Sequence, residues 1–283
     1  MSGKSYSLGL YEKSMPNSLD WAQKLKTAKE AGFDFVEISI DETEEKLSRL
    51  NMSREERVDL VALMSREGIR LETMCLSGHR KYPLGSADPA VRARGLEIME
   101  KAILLACDLG IRIIQIAGYD VYYEKSTEQT RSLFADGLEQ SVQLASKYGV
   151  LLAFETMETP FLNTVGKAMD WVQKNDSPYL MVYPDSGNLT NAAVAAGKNV
   201  LDDIEIGRGH IAAFHLKETV PGKFREIPYG TGHVDFEAII QKAYSMGVRR
   251  YMAEFWYVGQ ENWLQSIQDA NAFLRGKFDA CVL

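Results

Sequence analysis

The chain reads as a (β/α)8 barrel on three grounds. Eight short apolar runs of strand type recur along its 283 residues, stretches with helical periodicity alternate with them, and several of these stretches end in a glycine just before the next run. Strict alternation of strand and helix implies parallel pairing through right-handed crossovers, and strands covered on both faces read as near-continuous apolar runs. Eight such units in about 250 residues suit a closed barrel. An open, doubly wound sheet is the competing architecture.

In chain order, "YSLGLY" (6–11) is the first run, and "SLDWAQKLKTAKEAG" after it spaces its apolar residues by three and four up to Gly32. "FDFVEISI" (33–40) and "IRLETMCL" (69–76) are the second and third runs. "VRARGLEIMEKAILLACDLG" carries helical spacing to Gly110 and leads into "IRIIQIAG" (111–118), as "TRSLFADGLEQSVQLASKYG" does to Gly149 before "VLLAFE" (150–155). "YLMVYPD" (179–185) and "IAAFHL" (211–216) follow, and "DFEAIIQKAYSMG" ends at Gly247 ahead of "RRYMAEF" (249–255). A glycine at each of these ends is a helix C-cap signal. Asp235 reads as the N-cap of its helix, and the glycines of "YGTGHVDF" as turn formers, because the lysine and the GxxxxGK spacing of a phosphate loop are missing. No Pro/Ser linker, charge block or low-complexity tract divides the chain, so residues 1–283 are expected to form one domain.

Composition narrows the function classes. Hydrophobic residues make up 46% and charged residues 25%, the balance of a folded globular protein and not of a disordered one. A formal net charge of −7 argues against a broad phosphate-binding face, so no nucleic-acid partner is expected and any anionic substrate must be met locally. Cys75, Cys107 and Cys281 are odd in number and form no CxxC pair, which suits a reducing compartment better than a disulfide framework or a cysteine zinc site. With no apolar leader and no run of membrane-spanning length, the expectation is a cytoplasmic protein without a membrane partner.

In a barrel of this kind the active site lies at the carboxyl ends of the strands. There the chain places Glu155 after strand five, Asp185 after strand six, His215 after strand seven and Glu254 after strand eight, at spacings of 30, 30 and 39 residues. Three carboxylates brought together repel one another unless a cation sits among them, so a divalent metal is the expected partner. Taken singly, each acid could equally be a helix cap or an ion-pair member. The four together on consecutive strands favour the metal. Of the other histidines, His210 precedes strand seven at the far end of the barrel, His233 sits in the "YGTGHVDF" turn and His79 lies beyond strand three.

The segments "LGLYEKSMP", "MCLSGHRKYPLGS", "IQIAGYDVYYE", "YPDSGNL", "HLKET" and "AEFW" resemble the L-ribulose-5-phosphate 3-epimerase family, also called L-xylulose-5-phosphate 3-epimerase, of the xylose isomerase-like TIM barrels, over essentially the whole chain. That resemblance implies Glu155, Asp185, His215 and Glu254 as the metal ligands. It further implies that Glu155 and Glu254 exchange proton roles as catalytic acid and base in interconverting L-xylulose 5-phosphate and L-ribulose 5-phosphate through a cis-enediolate. The implied partner is a small sugar phosphate, and a homodimer is compatible with it. Oxygen-rich ligation with one imidazole favours Mn2+ or Mg2+, with Zn2+ or Co2+ also able to bind. One departure stands out: related epimerases of free ketoses carry histidine three residues after the aspartate, where this chain has Asn188, whose amide could donate to a substrate carbonyl.

The remaining candidates follow from loop placement. His79, Arg80 and Lys81 form the densest basic group, after strand three and across the mouth from the metal-bearing strands, and are expected to bind the phosphate; Lys13 and Arg225 are further candidates. Lys217, two residues past His215, would steady the carbonyl end of the substrate. Glu158 could orient a ligand, and Trp256 could wall the mouth against water. The alternatives are an aldose–ketose isomerase, an epimerase of unphosphorylated ketoses, and a non-catalytic sugar-phosphate-binding barrel. A DNA-repair endonuclease of the same superfamily would need a trinuclear zinc site and a basic groove, for which four histidines and this net charge are too little.

Overall fold

Each of the eight runs forms a strand in the computed structural model, which describes residues 5–282. The strands are β1 (Ser7–Tyr11), β2 (Phe35–Ile40), β3 (Arg70–Leu76), β4 (Ile113–Ala117), β5 (Leu151–Glu155), β6 (Leu180–Tyr183), β7 (Phe214–Leu216) and β8 (Arg250–Ala253). All pair in parallel, in the order β6-β5-β4-β3-β2-β1-β8-β7. The helices are α1 (Trp21–Glu30), α2 (Glu44–Ser48), α3 (Arg54–Glu67), α4 (Pro89–Leu109), α5 (Glu128–Tyr148), α6 (Val165–Asn175), α7 (Ser186–Ala196), α8 (Val200–Ile206), α9 (Phe236–Ser245) and α10 (Trp263–Cys281). Gly110 and Gly149 cap α4 and α5 in the left-handed conformation, and Asp235 caps α9 by accepting from the Ala238 amide. No described helix is long and apolar enough to cross a membrane.

β7 is shorter than its sequence run, and β6 and β7 close the barrel through isolated bridges, Val182 with Ile211 and Asp185 with His215. Three backbone hydrogen bonds make that seam: Val182 N to the His210 carbonyl, Ala212 N to that of Val182, and His215 N to that of Pro184. Pro184 contributes no amide, so the ladder cannot run on without interruption.

Inside the barrel, Ile113, Ala153, Tyr183 and Ala213 pack as one group, and Phe35, Met252, Tyr11 and Cys75 as another. Gly9 belongs beside the second group, since a Cβ there would lie 2.4 Å from the Phe35 ring. Several fully buried strand positions are polar: Glu37, Thr73, Gln115 and His215. Burying polar groups demands partners: Glu37 accepts from Thr73 and His215, and Gln115 donates to Glu155.

A second buried charge cluster holds the loop after β1. Glu12, fully buried, accepts from Lys46 Nζ at 2.6 Å and Arg49 Nη1 at 2.6 Å, with Lys24 Nζ at 3.5 Å and the Ser39 amide at 3.1 Å. Burial opposes the charge, but Arg49, Lys24 and Lys46 outweigh it and hold the Glu12 carboxyl low, at about 2. Lys24 is itself pulled down, by burial above all, so the cluster gains on its acid and loses on one base. Glu12→Gln strands three cations and is expected to destabilise the fold by about 3–5 kcal/mol. The sign with pH follows: a carboxyl ionising near 2 folded and 4.5 unfolded stabilises above pH 4.5, and that contribution, about 3 kcal/mol, fades as pH falls towards 2. Denaturant titrations of wild type and Glu12→Gln at neutral pH and below pH 4 check this; equal stability at neutral pH would refute it.

Candidate metal centre

The strand-end acids and His215 meet at one point. Glu155 ends β5, His215 sits in the middle of β7 and Glu254 directly follows β8, while Asp185 lies two residues beyond β6 and caps α7. One ligand atom from each lies within 4.8 Å of the others, and all four residues are buried. His215 Nδ1 is 3.5 Å from Glu155 Oε1 and 3.4 Å from Glu254 Oε2. Asp185 has two jobs for two oxygens. Its Oδ1 accepts from the Asn188 amide at 2.6 Å, the helix cap, while Oδ2 is buried without a partner. Glu254 Oε2 and His215 Nδ1 are likewise buried and unpartnered. Three buried atoms without a hydrogen bond thus converge, with the Lys217 ammonium 3.6 Å from one of them, and a divalent cation would satisfy all three.

α7 can start this close to β7 because residue 187 is glycine: a Cβ there would fall 2.5 Å from Thr219 Cγ2 and 3.0 Å from the Lys217 carbonyl. The Ser186 hydroxyl ties the same place, accepting from the Lys217 amide at 2.8 Å and donating to the Lys217 carbonyl at 3.0 Å. A second glycine, Gly232, faces the Glu218 carboxylate, where a Cβ would come within 2.3 Å of Oε1. Glu218 accepts from the amides of Gly230 and Val234, so "YGTGHVDF" is a turn pinned by an acid, with no phosphate cradle.

The charges around the centre are uneven. Burial raises the carboxyl of Asp185 well above the usual range, against the pull of Lys217, and burial together with the nearby Glu254 raises that of Glu155. At Glu254 burial is outweighed by Lys217 and His215, and its carboxyl is held low. Burial alone would keep His215 neutral; Glu37 and Glu254 overcome it and push the imidazole well up. A bound dication would take the place of the protons that this crowding retains.

The cavity above the centre is lined by Lys13, Arg80, Glu158, Lys217, Arg225 and Trp256, together with Tyr11, Cys75, Ser77, Asn188 and the two glutamates. Matches to known proteins agree with this geometry. Residues 25–277 match the family profile described as "Xylose isomerase-like TIM barrel". A curated relative from Salmonella heidelberg (strain SL476), named L-ribulose-5-phosphate 3-epimerase UlaE, is 45% identical over 278 residues, covering 98% of this chain and 96% of the relative. The chain belongs to the L-ribulose-5-phosphate 3-epimerase family of the xylose isomerase-like TIM barrels. Two solved structures share its fold. An L-ribulose 3-epimerase has a TM-score of 0.78 at 20% identity, covering 98% of this chain and 95% of that one. The Escherichia coli 3-keto-D-glucoside 4-epimerase YcjR has 0.77 at 18%, covering 96% and 99%. As a member of this epimerase family the chain is an enzyme of the isomerase class.

Within this family member the basic candidates separate. Arg80 lies over the Tyr122 ring at 4.7 Å, and its Nε is buried without a partner. Lys13 pairs with Asp41, and Arg225 pairs with Glu158 at 3.3 Å beside the Trp256 ring. His79 and Lys81 do not line the cavity. His79 is buried with Nε2 at 3.0 Å from the Gly95 carbonyl, and burial pushes its imidazole down to about 4, so it is neutral. Lys81 is exposed and reaches Glu44 at 3.2 Å. His79 and Arg80 belong to a 3-10 turn that Lys81 caps, and of the three only Arg80 lines the cavity. Glu158 touches Arg225 and Tyr122 and no metal-ligand candidate.

Asn188 also differs from expectation. Its Nδ2 donates to the Thr156 carbonyl at 2.7 Å and its Oδ1 accepts from Lys217 Nζ at 2.9 Å. A carbonyl can only accept and an ammonium only donate, so both partners fix the amide in this orientation. One of the two N–H donors is therefore taken by Thr156, and the amide oxygen holds Lys217. Lys217 Nζ in turn stands 3.2 Å from Asp185 Oδ1 and 3.6 Å from Glu254 Oε2. Two further residues escaped sequence reading: Gln115, which donates to Glu155 Oε2, and Glu37, which meets His215. Both lie within strands, where a lone polar residue gives no positional signal.

Proposed function

We propose that the chain interconverts L-xylulose 5-phosphate and L-ribulose 5-phosphate by inversion at C3, with one divalent ion, Mn2+ or Mg2+ favoured, held by Glu155, Asp185, His215 and Glu254. The observation that carries this reading is the convergence of Glu155, Asp185, His215 and Glu254 on one point, where three of their buried atoms have no hydrogen-bond partner. When bound, the ion supplies Lewis-acid polarisation of the substrate's adjacent carbonyl and hydroxyl oxygens. The chain's own groups do the rest. One glutamate takes the proton from C3 as the C–H electron pair forms the cis-enediolate, and the other returns a proton to the opposite face. Glu155 and Glu254 approach His215 from β5 and β8, on either side of Asp185 and β7, which gives the two faces separate bases. Lys217, held by Asn188, places a cation beside the developing oxyanion, where it stabilises charge. Trp256 covers the mouth, edge-on to Tyr11.

The phosphate is read as seated by Arg80, with Lys13 and Arg225 at its sides. Arg80 has a buried N–H to give, and a charge-assisted bond to a phosphate oxygen would satisfy it. Reaction in D2O tests the chemistry: C3 is expected to acquire deuterium as the epimers interconvert. Interconversion with an aldose and no deuterium at C3 would favour the isomerase reading, and no turnover of either pentulose phosphate would refute the proposal.

A further inference from the structure

Glu37 contributes no ligand atom to the centre, yet it fixes how His215 enters it. Fully buried within β2, its Oε1 accepts from His215 Nε2 at 2.9 Å. Its Oε2 accepts from Thr73 Oγ1 at 2.7 Å and from the Tyr183 hydroxyl at 3.1 Å. The Tyr183 ring stands edge-on to the imidazole, with centroids 4.6 Å apart and planes at 69°. Donors from β3, β6 and β7 thus converge on one carboxylate of β2. Turning the His215 ring over would break the bond to Glu37 and press a C–H against the carboxylate. With Nε2–H committed to Glu37, the Nδ1 lone pair is left facing Glu155 and Glu254, where it has no hydrogen-bond partner.

We propose that Glu37 is a positioning residue of the metal centre: it keeps Nδ1 as the metal-facing atom of His215, and its charge, transmitted through the ring, strengthens that atom as a donor to a cation. The inference rests on the reading of Glu155, Asp185, His215 and Glu254 as a metal centre. A competing role is that of a polar plug, there only to satisfy three buried donors. Glutamine distinguishes the two. Its carbonyl would still accept from His215 Nε2, and its amide would donate to Thr73 or Tyr183, whose hydroxyls can also accept. A plug is thus preserved in Glu37→Gln, whereas the charge behind His215 is lost.

The test is titration of the metal-free protein with Mn2+, counting unbound ion by its EPR signal, alongside thermal unfolding of the same samples. Glu37→Gln is expected to bind Mn2+ about 10- to 100-fold more weakly than wild type, with the melting temperature of the metal-free protein maintained. Wild-type affinity in Glu37→Gln would overturn the proposal. Should that variant not fold, Glu37→Asp keeps the charge but withdraws the carboxylate from His215 Nε2 by one methylene. It is then expected to weaken Mn2+ binding in the same direction, and unchanged affinity would overturn the proposal. Failure of wild type itself to bind Mn2+, Mg2+, Zn2+ or Co2+ would instead remove the centre, and the role of Glu37 with it.

Discussion

Glu155→Gln and Glu254→Gln are each expected to lower kcat for the pentulose phosphate by about 10²- to 10⁴-fold, with a much smaller change in KM. Each substitution keeps the side chain's size and one oxygen but removes the site that accepts the C3 proton. If the two glutamates serve opposite faces, the losses take a particular form. A variant with one base can still remove and replace the proton on its own face, so it should exchange C3–H with D2O in one epimer without inverting it. The two variants should differ in which epimer exchanges. Metal content must be measured in parallel, because both residues also offer ligand atoms; His215→Ala is the comparison that should lose metal and activity together. Near wild-type epimerisation by either glutamine variant would rule out the two-base mechanism.

Arg80→Ala is expected to lower kcat/KM for the phosphorylated ketose about tenfold to a hundredfold, the equivalent of about 1.5–3 kcal/mol for one charge-assisted contact. The slow reaction of the unphosphorylated sugar should scarcely change, because it never makes the contact. The neighbours in sequence sharpen the test. Lys81→Ala should be silent on both substrates, since Lys81 is exposed and engaged with Glu44. His79→Ala opens a hole against the Gly95 carbonyl and should harm stability without discriminating between substrates. Equal losses on both sugars in Arg80→Ala would make Arg80 a structural residue and leave Lys13 and Arg225 as the phosphate contacts.

The contrast between Arg80 and its neighbours shows where sequence reading stops. The eight strands could be read because a doubly covered strand has to be an apolar run, and the four converging residues because a barrel presents its strand ends on one face. Direction within a turn obeys no such rule: "HRK" looks like one basic patch, yet its three side chains diverge. Glu37 and Gln115 were equally hidden, since a polar residue within a strand reads as an exposed position unless its partners, far away in sequence, are known. Asp185 was legible in both its senses. A helix cap and a ligand are compatible there, because the cap uses one carboxylate oxygen and leaves the other without a hydrogen bond.

The joint between β6 and β7 has a further consequence. Elsewhere neighbouring strands pair through ladders; here three backbone bonds and two isolated bridges do the work, and one of those bridges joins Asp185 to His215. The two middle residues of the centre therefore sit on opposite lips of the weakest line in the wall. An ion gripping both would act as a clasp, and some of its binding free energy would appear as resistance of the cylinder to springing open. Loading with Mg2+ should slow exchange of the Ala212 and His215 amides more than that of amides in the β3–β4 ladder; uniform slowing across the barrel would mean that the ion steadies the protein as a whole and not this joint.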